Sequence, residues 1–217
     1  MRGSFKVWTF EVAIILSGLL PNPKLETSVL AICFNTFSLA WMIPYSLTAA
    51  VSTRVSNELG AGLPGAARLA AKVALSMGVI EAIFIAGAMI AVRDAWGHVY
   101  TNEKEVIADV ASMMPIVALM SSLDTVQSVL TGISTGCGWQ KIGALVNLVA
   151  FNVVGIPLAI VLSFVFHLKI KGLLMGVASA FLLQAGLLLW ITLRTDWTKQ
   201  ATNAATRIQH VSAPSHH

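Results

Sequence analysis

Asp124, Glu11 and Glu81 each stand inside a long apolar stretch of this 217-residue sequence. A charge held at the centre of a bilayer costs on the order of 3 kcal/mol on insertion scales, so each of these carboxyls needs a chemical reason to be there. Asp124 has the most polar company and reads as an ion or proton site, with a structural hydrogen bond as the alternative. Ser121, Asp124, Gln127, Ser128, Thr131 and Thr135 recur at three- and four-residue steps, which places them on one face of a helix. Such a stripe faces a cavity or a neighbouring helix rather than lipid, and Pro115 upstream bends the same helix and frees a backbone carbonyl. Glu11 follows Trp8 and Phe10, rings that suit either an interfacial belt or a wall for stacking a substrate. Glu81 has only Ser76 nearby and reads as an interhelical hydrogen-bonding group, with a proton site as the alternative. Arg54, beside Ser56, Asn57 and Glu58, reads as an anchor at the cytoplasmic surface, with pairing to an acid in the bundle as the alternative.

Carboxyls so placed suit proton or cation exchange. Out of water, a carboxyl favours its neutral form, so protonation and the binding of an organic cation compete for one group. Each pH unit of gradient then supplies about 1.36 kcal/mol to drive the exchange. Competing chemistries lack their residues. The sequence holds no GxxxxGK[ST] phosphate loop, no GxSxG elbow and no HExxH, so no hydrolase or transferase reading arises. His98, His167, His210, His216 and His217 fall in loops or the tail, and Cys33 and Cys137 share no CxxC spacing, which argues against a metal site or a disulfide framework. No cofactor is implied beyond H⁺, or Na⁺, as coupling ion. The net charge of +4 is scattered along the chain, and nucleic-acid binding needs clustered cations instead.

The elements that carry these residues are membrane helices. With 56% hydrophobic and 11% charged residues, the chain has too little charge to cover a water-soluble globule, where about 25% is usual. Apolar runs of about 20 residues mark six spans, at Phe5–Leu20, Ser28–Val51, Ala66–Val92, Val106–Ile133, Ile142–Phe166 and Leu173–Leu193. The fold class is all-α and polytopic, seated in a lipid bilayer. The first run is short for a span and reads as cut at its N-terminus; Glu11 inside it and the lack of a small-residue cleavage site argue against a signal peptide. Pro44 falls inside the second span. Residues 1–194 form the membrane unit, and 195–217 read as a polar, disordered cytoplasmic tail. Lys and Arg number nine on the side of the termini and five on the other, which puts both termini in the cytoplasm. Gly132 with Gly136, and Gly172, Gly176 and Ala180, stand at four-residue spacing, a pattern that lets helix backbones meet closely.

Three segments carry a resemblance. PNPKLETSVLAICFNT (Pro21 to Thr36), STRVSNELGAG (Ser52 to Gly62) and SLDTVQSVLTGISTGCGWQKIGALVN (Ser122 to Asn147), with WTFE ahead of them, closely resemble the multidrug and toxic compound extrusion (MATE) transporters, in particular their plant DETOXIFICATION branch. The resemblance implies a twelve-helix antiporter of two six-helix lobes that exports small organic cations, xenobiotics and other metabolites against H⁺ or Na⁺, in the vacuolar or plasma membrane. This chain resembles the second lobe only, beginning partway through the family's seventh helix. By that resemblance Glu11 and Asp124 are the coupling acids, and Arg54 is a cavity-edge or gating residue beside the lining groups Ser121, Gln127, Ser128 and Thr131. Ser134 and Thr135 stand where the family usually has an Ala-Arg pair before GCGWQ, which removes a cytoplasmic cation. A single lobe cannot alternate its access alone. The partner is therefore a missing N-terminal lobe or a second copy, and the chain is a truncated product, a splice form or a half-transporter. The alternative is a fragment that does not transport and associates with another lobe or a full-length relative.

Overall fold

The computed structural model describes residues 11–212, with side chains described through Thr206. Phe5, Trp8, Phe10, His216 and His217, named above, lie outside that range.

Residues 11–17 are helical and are called α1. After them come α2 (Pro23–Gly60), α3 (Pro64–Trp96) and α4 (Lys104–Gly136). The fifth span, Gln140–Val165, is composite: α5 (Gln140–Leu148), a π-helical stretch Val149–Gly155, α6 (Ile156–Ile160) and a second π-helical stretch Val161–Val165. Then follow α7 (Lys169–Leu193) and α8 (Trp197–Ser212). Five helices among the described residues are long and apolar enough to cross a membrane. Hydrocarbon offers no water to backbone amides, so each crossing segment must satisfy its own ladder as a helix. The helices outrun the apolar stretches that mark them, because α2, α3 and α4 are each longer than the roughly 20 residues a bilayer core demands. Pro44 and Pro115 lie inside unbroken helices.

Where the chain reverses, local chemistry explains it. Gly62 takes φ +72° and Gly138 φ +79°, the left-handed region that glycine enters without a Cβ penalty. At the first turn Leu63 N–H donates to Glu58 O and Gly62 N–H to Leu59 O; at the second Trp139 N–H donates to Ser134 O and Gly138 N–H to Thr135 O. Both are paired six-to-one and five-to-two closures that satisfy the last carbonyls of a helix. Pro64 then starts α3 at a position where its missing N–H costs nothing.

The spacing of small residues becomes a contact in the structure. A Cβ on Gly172 would lie 2.5 Å from Ser163 N, one on Gly176 would meet Ala159, and one on Gly155 would lie 2.8 Å from Ala180 Cβ. Those pairs step by four residues in opposite directions, so α7 and the fifth span run antiparallel with backbones in close approach. Gly132 and Gly136 play the same part for α4 against α2, where added Cβ atoms would meet Thr48 O at 2.6 Å and Ser52 O at 2.8 Å.

The tail departs from its expected form. Instead of a disordered segment, Trp197–Ser212 is a helix. Trp197, Ala201 and Ala204 recur at helical spacing and pack on the cluster of Val51, Val55, Leu59, Ala67, Ala71 and Ala74 at the Gly62 end of the bundle. Asp196 caps the start, accepting from Thr198 N–H at 3.0 Å and Lys199 N–H at 3.1 Å. The polar majority of the segment conceals a narrow apolar stripe.

Candidate functional site

Helix α4 is the central element, packed against α2, α3 and α7. Its apolar residues divide between two clusters, one reaching Met120 and the other resuming at Val129. Between them Ser121, Asp124, Thr125, Gln127 and Ser128 are all buried. The polar stripe read from spacing is therefore a buried polar layer between two apolar cores, about 18 Å from the Gly136 end of α4 at 1.5 Å per residue.

Asp124 is 1% exposed. Gln127 Nε2–H donates to Asp124 Oδ1 at 2.6 Å and to Ser128 Oγ at 3.2 Å. Thr131 Oγ1–H in turn donates to Gln127 O at 2.8 Å and to Gln127 Oε1 at 3.3 Å. The line Thr131, Gln127, Asp124 is thus a set of neighbouring donors and acceptors on successive turns of one helix, closed by a neutral amide at the carboxyl oxygen. Thr125 Oγ1–H donates to Ser121 O and Thr135 Oγ1–H to Thr131 O, so these hydroxyls also back-bond along the stripe.

The other sequence candidates lie apart from this network. Arg54 sits near the Gly62 end of α2, 69% exposed, and pairs with Glu58 at 2.8 Å. Glu11 is exposed at the first described position of α1. The next residues of α1, Val12, Ala13 and Leu16, face Gly155, Ile156, Ala159, Leu173 and Val177 across a narrow cleft. Glu81 departs from its expected role: its Oε1 is buried without a hydrogen-bond partner. A cavity of about 570 Å³ opens at the opposite end of the bundle, lined by Asn22, Lys24, Tyr100, Thr101, Glu103 and Glu105 among others. It does not contain the Asp124 layer, and its size alone does not make it the site.

Two ties escaped the sequence reading. Trp96 Nε1–H donates to Thr36 Oγ1 at 2.7 Å, joining α3 to α2. Glu26, buried at the start of α2, lies 3.7 Å from Lys169 Nζ at the start of α7. Neither spacing betrays the pairing, because each joins residues of different helices. Both Cys33 and Cys137 are buried.

Membrane-crossing helices around a buried carboxyl–amide layer define a multi-pass integral membrane protein. A family model described as MatE matches residues 4–161. The chain belongs to this MATE family, whose members are transporters rather than enzymes. Protein DETOXIFICATION 16 of Arabidopsis thaliana is 49% identical over 208 residues, covering 96% of this chain and 43% of the relative. Protein DETOXIFICATION 15 of the same organism is 46% identical over 209 residues, covering 96% and 42%. The crystal structure of the eukaryotic MATE transporter AtDTX14 superposes with a TM-score of 0.88 at 44% identity, over 93% of this chain and 45% of that one. The chain therefore spans less than half the length of these relatives.

Proposed function

We propose that this chain acts as the second lobe of an antiporter that exports small organic cations, xenobiotics or metabolites in exchange for protons, with Na⁺ as the other possible coupling ion. Asp124 carries the coupling, with Glu11 as a second acid on α1. Gln127, Ser128, Thr131 and Ser121 line the path, and Arg54 stands at its cytoplasmic edge. The observation that carries this reading is the buried Asp124, held by Gln127 at 2.6 Å between two apolar clusters. An acid at that depth has a high cost and is retained where its charge is used. Protonation neutralises it; release of the proton frees it to attract a cation.

Both termini lie in the cytoplasm, by the excess of Lys and Arg on their side, and the membrane is vacuolar or plasma. A first lobe, or a second copy of this chain, completes the pathway, since alternating access needs one lobe to rock against another. A second reading, a lobe that does not transport alone and associates with another, draws support from the 43% share of the relative that the chain covers.

Proteoliposomes containing the chain alone, with an imposed pH gradient and an organic cation such as tetraethylammonium, separate the readings. Substrate-dependent proton flux that disappears in Asp124→Asn supports the antiporter and removes the fragment reading. Flux that persists in Asp124→Asn sinks the role given to Asp124. An absence of flux in the chain alone, restored when a first lobe from a full-length relative is co-reconstituted, supports a second lobe that needs its partner; an absence of flux in both preparations supports the second reading.

A further inference from the structure

Glu81 is the one intramembrane carboxyl of the described residues that the transport reading leaves unused. It falls near the middle of the 33 residues of α3, about 25 Å from either end at 1.5 Å per residue, and so deep in a hydrocarbon layer about 30 Å thick. Around it α3 presents an apolar exterior: Met77, Val79, Ile80, Ile83 and Phe84 are all exposed large hydrophobics. The buried stripe of the helix runs through Ala74, Gly78, Ala82 and Met89. Glu81 stands on the flank of that stripe, half-buried, and its Oε1 is enclosed with no hydrogen-bond donor.

An ionised carboxylate needs donors on both oxygens, and leaving one in apolar surroundings costs far more than burying the neutral acid. Among the described residues, the elements packed against α3 offer no cation at this depth. Helix α2 carries Lys24, Glu26, Arg54 and Glu58 near its ends, with Tyr45 its phenol between them; α4 carries Lys104, Glu105 and Asp109 near its start and Asp124, whose carboxyl Gln127 engages. Lys199 of α8, the helix that touches α3 at the Gly62 end, is exposed, and so is His98 in the turn of residues 97–99 that packs on the far end of α3. We propose that Glu81 is a proton-binding carboxyl on the lipid-facing flank of α3, separate from the Asp124 layer and reactive toward apolar carbodiimides.

The reaction balances without a further reagent. The acid O–H adds across one C=N bond of the carbodiimide: the proton goes to nitrogen and the carboxyl oxygen to the central carbon, giving an O-acylisourea. Migration of the acyl group from oxygen to nitrogen then leaves a stable N-acylurea, with no water to divert it at this depth.

The test uses the full chain in lipid nanodiscs at neutral pH and needs no transport activity. Dicyclohexylcarbodiimide, which partitions into lipid, is compared with a water-soluble carbodiimide plus glycine methyl ester, and the peptide containing Glu81 is read by mass spectrometry. The expected result is an N-acylurea on that peptide from the apolar reagent, none from the soluble one, loss of the adduct in Glu81→Gln and its retention in Glu81→Asp. Because the principal readout is on the unaltered chain, a variant that fails to fold leaves the test intact. Modification of Glu81 by the soluble reagent, or no adduct from the apolar one, overturns the proposal.

Discussion

Gly176→Ala puts the antiparallel contact between α7 and the fifth span to a quantitative test. The added Cβ would run into Ala159, including its backbone, while the next pairs along the seam, Gly172 with Ser163 and Gly155 with Ala180, stand at 2.5 and 2.8 Å from the same kind of probe atom. Carbon atoms rest at about 3.5–4.0 Å, and a gap of 0.5–1 Å opened along a seam forfeits a quarter to a half of each dispersion contact. Overpacking of this kind costs about 1–3 kcal/mol, offset by the roughly 0.5–1 kcal/mol by which alanine suits a helix better than glycine. Gly186 lies on the same helix with nothing within 4 Å of an added Cβ, so Gly186→Ala keeps only the favourable part. The helix-propensity gain is common to both, so the two variants should differ by the overpacking cost, about 1–3 kcal/mol in the stability of the folded bundle. Unfolding in mixed micelles by increasing SDS fraction, followed by tryptophan fluorescence, measures the difference. Adding Ala159→Gly to Gly176→Ala should rescue only part of the loss, because the Ala159 backbone is also in the way. Equal effects of Gly176→Ala and Gly186→Ala would refute the close contact.

Three further outcomes follow from named contacts. Thr36→Val removes the acceptor of Trp96 Nε1–H and should destabilise by about 1 kcal/mol, with Trp96→Phe adding less in its presence than alone, as read by the same SDS titration. Arg54→Gln should change stability by less than about 0.5 kcal/mol in that titration, because the Arg54–Glu58 pair is largely exposed on the arginine side and places its acid toward the helix C-terminus, the less favourable order. Cys33 and Cys137 are 1% and 2% exposed, so a maleimide should label neither thiol in the folded chain and both after unfolding in SDS, a difference that intact mass reports directly.

The parts of this molecule that were legible in the sequence are those whose geometry is local to one helix. Asp124 and Gln127 are three residues apart, Gln127 and Thr131 four, so helical periodicity alone places them side by side. The glycine at 62 and the proline at 64 likewise carry their turn within five residues. Interactions between helices were legible only as a property of one partner. The spacing of Gly172, Gly176 and Ala180 announces a close neighbour, yet the neighbour is identified by Gly155, Ala159 and Ser163, whose own four-residue steps drew no notice beside the apolar bulk of the fifth span. Pro157 has no N–H to give to the preceding turn, which fits the π-turns of Val149–Gly155 just before it. The disordered reading of the tail failed for a related reason. A helix that packs on a protein surface needs only a stripe as narrow as Trp197, Ala201 and Ala204, and two of those three residues are alanines that barely register as hydrophobic. Glu81 shows the same limit from the other direction. A lone acid in an apolar run invites a partner on another helix, but whether one exists depends on the rotation of α3, and a rotation that turns Ala82 inward leaves Glu81 at the lipid edge.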